Sequence, residues 1–151
     1  MYFQELPKDA RLWVYQSNRC INENEQAEIS TILNQFISSW AAHGIPLKAE
    51  TLVIKDHFII FAVDEKQEAA SGCSIDSSVK LMKEIGQKFN IDFFDRLKLI
   101  VEKDSEMKII PFSELGVYSE WKIYDTLINT VEKLNESFLI QVKDSELYKI
   151  L

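Results

Sequence analysis

Apolar residues recur along this chain in two spacings, one helical and one extended. After Asn22 they fall every three or four positions, at Ile29, Ile32, Leu33, Phe36, Ile37 and Trp40, and so define one face of a helix. Asn22 with Glu25 three residues later is a capping-box signature at its start. Gly44, with Pro46 close behind, is expected to end this helix in the left-handed conformation. That reading puts His43 in the last turn, where a cation complements the helix dipole. A second helical pattern, Ile75, Val79, Met82, Ile85 and Phe89, is expected to start near Ser74 or Asp76 and to end near Asn90.

Between and around the helices the spacing is extended. Arg11 to Gln16 reads as a first strand from its aromatic and β-branched content. Ala49 to Lys55 alternates, Asp56-His57 turns, and Phe58 to Val63 is apolar at every position. A strand without a polar face belongs at the centre of a sheet covered on both sides. Arg96 to Glu102 places Leu97, Leu99 and Val101 on one face, and Met107 to Ile110 returns as its hairpin partner. The order predicts an α+β fold with a ferredoxin-like β-α-β-β-α-β core and an additional hairpin strand. Beyond Pro111 the pattern is irregular. Ser113 is a cap for a short helix that Gly116 would stop. Ile123, Leu127, Ile128, Val131 and Leu134 fit a helix or extended chain. Phe138 to Val142 reads as a last strand, with a short helix after Asp144. No repeat or Gly/Ser-rich linker divides residues 1–151, so a single domain is expected.

Composition narrows the function classes. The chain has 151 residues, 46% of them apolar and 27% charged, which is globular composition. With 17 basic and 24 acidic residues its formal charge is −7, and no basic stripe offsets that charge, so nucleic acid and anionic membrane surfaces are disfavoured partners. Cys20 and Cys73 form neither a disulfide framework nor a metal-ligand spacing. No secretory signal pattern opens the chain, and its longest apolar run is too short to insert into a membrane, so a cytoplasmic location is expected. The four glycines, Gly44, Gly72, Gly86 and Gly116, are scattered and none precedes a lysine, which excludes a phosphate-binding P-loop and the ATPase chemistry that needs one. No cofactor motif is present, and no metal is expected.

One segment is a candidate for chemistry. Ser71-Gly72-Cys73-Ser74-Ile75-Asp76 precedes the second helix, where free backbone N–H groups and the dipole favour negative charge, whether a thiolate or a small bound anion. Cys73 is the catalytic candidate. Ser71, Gly72, Ser74 and Asp76 would line a ligand site with Asp64, Arg96 and His43. The plain alternative is a helix cap beside a small buried thiol, and Asp64, Glu65 and Asp76 would oppose an anion there. His57 reads as a solvated turn residue, Arg96 as a partner of Asp95, and Trp13, Trp40 and Trp121 as core or interface aromatics.

Trp13-Val14-Tyr15-Gln16-Ser17-Asn18-Arg19, Trp40 with His43-Gly44, Ala62-Val63-Asp64-Glu65, Ala70 to Ser78, and Phe93-Phe94-Asp95-Arg96 together resemble a family of small bacterial proteins commonly labelled "ABC transporter ATPase". The likeness covers roughly residues 1–112. It implies a site drawn from Trp13, Tyr15, Gln16, Arg19, His43, Asp64, Cys73, Asp76 and Arg96, and a transporter subunit as one partner. It conflicts with the missing P-loop. The leading expectation is therefore a non-enzymatic ligand- or protein-binding domain, as a homodimer through a sheet face or edge. The alternatives are a thiol enzyme or redox sensor using Cys73, and an accessory of a transporter ATPase.

Overall fold

A computed structural model covering residues 1–151 shows a mixed α+β chain with antiparallel sheets. In chain order the elements are β1 (Arg11–Gln16), α1 (Glu23–Ser38), a small hairpin of β2 (Ala41–Ala42) and β3 (Ile45–Pro46), β4 (Lys48–Ile54), β5 (Phe58–Asp64), α2 (Gly72–Phe89), β6 (Lys98–Lys103) and β7 (Glu106–Pro111). A 3-10 segment, Phe112–Tyr118, leads to β8 (Lys122–Tyr124), α3 (Val131–Ser137), β9 (Leu139–Gln141) and a last short α4 (Glu146–Lys149).

The first sheet has the order β1-β5-β4, with Trp13 opposite Phe61 and Leu52 opposite Ile60. Since β5 is antiparallel to both neighbours, β1 and β4 run parallel with β5 between them, a split β-α-β unit. The ferredoxin-like expectation would now add β6 beside β1. Instead β6 lies in a second sheet of order β7-β6-β8-β9. The reason lies in its alternation. Ile100 faces one core while Leu99 and Val101 face another, and the C-terminal segment supplies β8 with Ile123 opposite Val101. The hairpin β6–β7 is thus the start of a separate layer, not an extension of the first sheet.

Four layers result. Ile29 and Leu33 of α1 and Met82 and Ile85 of α2 pack on Ile59, Phe61 and Val63. The opposite face of β5, Phe58, Ile60 and Ala62, meets Ile100, Tyr124 and Phe138. Leu115 and Val142 close the outer face of the second sheet. Phe58 to Val63 are all at most 1% exposed, as the unbroken apolar run predicts. Each such large side chain contributes about 1.5–3 kcal/mol through burial. The cover on both faces comes from the chain itself, the C-terminal segment supplying Tyr124 and Phe138, so burial of β5 needs no second subunit.

Several boundaries differ from the sequence reading. α1 has its expected capping box but stops at Ser38, before Gly44. His43 (φ 53°) and Gly44 (φ 77°) are the two central residues of the β2–β3 hairpin turn. A two-residue hairpin loop with both φ positive matches the twist of the flanking strands. The same device recurs at Asp104-Ser105 without any glycine, whereas the β4–β5 loop has three residues, Lys55 to His57, the first two at positive φ. Ser71, not Ser74 or Asp76, caps α2 by accepting from Ser74 N–H. The apolar positions between Ile123 and Leu134 divide between β8, a loop and α3. The 3-10 segment runs through Gly116 rather than stopping there.

Candidate functional site

Cys73 occupies the first turn of α2, inside the helix rather than ahead of it, and it is exposed. No hydrogen-bond partner reaches its sulfur; its carbonyl accepts from Ser77 Oγ at 2.9 Å. The serines around it are structural. Ser71 caps the helix, Ser74 Oγ donates back to Ser71 O at 2.8 Å, and Ser78 Oγ donates to Ile75 O at 2.6 Å. Ser74 and Ser78 are buried, one turn apart, on the inner face of α2. There Trp40 Nε1 donates to Ser74 O at 2.9 Å, and the Tyr15 hydroxyl lies 3.4 Å from Ser78 Oγ. Since the single Ser78 hydrogen goes to Ile75, Tyr15 is the donor. Burial holds its phenol above the usual range, the serine contact partly offsetting this.

The other expected site residues disperse. His43 is exposed in its hairpin turn. Asp64 ends β5, pairs with Lys48 at 3.8 Å and accepts from Lys66 N–H. Asp76 is exposed on α2. Asp95 accepts from Leu97 N–H at 3.0 Å instead of pairing with Arg96, which makes no ion pair. Nowhere do three His, Cys, Asp or Glu side chains converge as metal ligands would. No helix is long and apolar enough to cross a membrane.

A different site forms where β6 leaves β1. The free edge of β1 lines a cleft of about 650 Å³, with all six residues from Arg11 to Gln16 contributing. One wall is Ile75 and Val79 of α2 with Phe93, Phe94, Asp95 and Arg96; the other is Lys98, Leu99 and the loop Thr126 to Asn129, with Leu147. That volume lies within the range of small-ligand sites, about 300–1,000 Å³, and the apolar lining with few polar groups is typical of them. Phe94 is 38% exposed and Leu127 70%, so both rims present apolar surface to water. Phe94 is held edge-on to Tyr15, ring centroids 5.9 Å apart, and Tyr15 in turn to Phe61.

The cleft is bounded along β1. At one end Leu12 N–H donates to Asn129 O at 3.1 Å and Arg11 bridges to Thr130. At the other, Gln16 Nε2 donates to Lys98 O at 2.9 Å. Antiparallel pairing alternates residues that bond across the ladder with residues that face outward. Leu12 faces outward, so Val14 does too, and its N–H and C=O point into the cleft with no protein partner. Charge is unevenly placed as well. Arg11, Arg96 and Lys98 line the cleft against Asp95 alone. Arg11 lies 3.7 Å from Glu65 and stacks over Trp13, whereas Arg96 and Lys98 have no acidic partner.

Of the residues implied by the resemblance, Trp13, Tyr15, Gln16 and Arg96 meet in this cleft, whereas His43, Asp64, Cys73 and Asp76 do not line it. Arg19 is a structural clamp: it pairs bidentately with Glu25 and donates to Phe89 O at the end of α2. No family model, curated protein or solved structure matches the chain. Val14, Phe94, Lys98 and Leu127 were not singled out from sequence. The one available signal was the pairing of an aromatic first strand with Phe93-Phe94-Asp95-Arg96.

Proposed function

We propose that this chain is a non-enzymatic binding domain whose ligand or partner occupies the cleft along β1. The observation that carries the reading is the 650 Å³ opening itself, with an unpaired strand edge on its floor and exposed Phe94 and Leu127 at its rims. Exposed apolar side chains gathered at a concave, bounded site mark a recognition surface rather than scattered surface hydrophobes. The convergence there of Trp13, Tyr15, Gln16 and Arg96, four residues of the site that the resemblance implies, supports the same reading. Cys73, the catalytic candidate, lies on the same helix but outside the cleft and without a base, so nothing favours the thiol-enzyme alternative.

A fragment screen on isotopically labelled protein tests this. Apolar fragments bearing a carboxylate are expected to shift the amide resonances of Val14, Phe94, Arg96 and Leu127 together. Leu127→Glu should abolish those shifts while the remaining spectrum stays native. Shifts scattered over the surface, or clustered at Cys73, would overturn the assignment.

A further inference from the structure

We propose that the cleft receives an extended, acidic peptide, which adds to the first sheet as a strand beside β1. This rests on the binding-domain reading above and specifies its partner. The argument starts from the topology. A split β-α-β sheet has a vacant position on the outer side of β1, and here β6 leaves it empty. The vacancy is flanked by α2 on one side and the second sheet on the other, so an entering segment is held between two walls. Between Leu12, bonded to Asn129, and Gln16, which reaches Lys98, the open edge holds three residues, and Leu12 to Gln16 spans about 14 Å of strand. Val14 offers one N–H and one C=O to it, the main-chain contacts on which strand addition rests.

Chemistry selects the occupant. Alternate side chains of an added strand point to opposite walls, towards Phe94 on one and Leu127 on the other, so apolar residues at both parities are favoured. Arg96 and Lys98 stand without counter-ions beside a cleft that holds one carboxylate, in a chain of net charge −7. Acidic residues in the peptide would complement them. A second copy does not fit through its own β1, which is equally recessed between the same walls.

The test is a selection of random linear heptapeptides displayed against the full chain, followed by affinity measurement with the best synthetic peptide. Enrichment of acidic sequences with apolar residues at both parities is expected. Val14→Pro removes only the outward N–H, at an edge position where proline is tolerated, and should weaken binding at least tenfold; Val14→Thr, which keeps the amide, should not. The double change Arg96→Glu, Lys98→Glu should weaken it at least as much. Should Val14→Pro fail to fold, N-methylating the peptide backbone at the position facing Val14 makes the same deletion from the other side. Enrichment of basic peptides, or binding indifferent to both deletions, overturns the proposal. So does a concentration-dependent dimer that Val14→Pro dissolves, which would assign the edge to a second copy. If no peptide is enriched while fragments still shift cleft resonances, strand addition fails and the binding-domain reading stands. If neither occurs, both fail.

Discussion

The indole N–H of Trp40 donates to the backbone carbonyl of Ser74 across 2.9 Å, with both residues buried. This bond ties the end of the α1 connection to the first turn of α2. Trp40 also stands edge-on to Trp13 and Phe61. Trp40→Phe would keep most of the aromatic packing but remove this bond, leaving the carbonyl only its acceptor role within α2. A loss of about 1 kcal/mol is expected, measurable as a lower midpoint in urea with an unchanged slope.

Glu25 closes the capping box of α1 and accepts both Arg19 nitrogens, at 2.7 and 2.9 Å. The guanidinium, and then the Asn22 backbone N–H, pull its carboxyl from an ordinary 4.5 down to about 2. A depressed carboxyl stabilises the fold fully above its unfolded value and loses that contribution as the pH falls towards the folded one. The stability difference between the wild type and Glu25→Gln should therefore be constant at neutral pH and shrink between about pH 4.5 and 2. Denaturant titrations at a series of pH values would show it; a difference that persists at pH 2 would contradict the Arg19 clamp.

Gly86 lies in the helical interior of α2, where alanine is ordinarily favoured by about 1 kcal/mol. Here a Cβ would fall 2.5 Å from the carbonyl oxygen of Ile91, because the chain doubles back after the left-handed Asn90. The obstructing atom is backbone and cannot swing aside. Gly86→Ala is expected to destabilise, against helix propensity, by about 2 kcal/mol or more. A melting temperature equal to or above the wild type would refute the close approach.

Cys20 and Cys73 are both exposed. A maleimide reagent should therefore modify both in the native protein, at rates within a few-fold of each other, as followed by mass spectrometry. Cys73→Ser should leave melting and cleft binding unchanged. A much faster reaction at Cys73 would restore the thiol chemistry that its surroundings do not support.

Asp104 and Ser105 both adopt positive φ in the β6–β7 turn, at 52° and 65°. Asparagine and glycine meet that geometry with less strain. The double change Asp104→Asn, Ser105→Gly is expected to stabilise by roughly 1 kcal/mol, read from thermal unfolding; a loss would mean that the native side chains hold the turn by other means.

The sequence spoke most clearly where one periodicity served one environment. The capping box of Asn22 and Glu25 and the all-apolar run of β5 appear as expected because each needs only local chemistry or complete burial. The end of α1 was misplaced because Gly44 signals positive φ equally well in a helix terminus and in a hairpin turn, and the turn is what forms. The position of β6 was illegible for a different reason. Strand alternation specifies two faces but not which neighbour pairs at the edge, and that choice depends on β8, which starts 19 residues beyond the end of β6. The cleft inherits this: its floor, walls and rim come from five separated segments, and of its lining only Trp13, Tyr15, Gln16 and Arg96 stood among the candidate site residues.

Strand β5 is bonded along both edges and covered on both faces. It cannot be uncovered from one side without also stripping the residues that shield the other, since its alternate side chains belong to opposite cores. Partial opening by peeling off either layer leaves half of the same strand facing water. The helical layer and the second sheet are thereby joined into one cooperative unit, so that heat or urea should disrupt them in a single step.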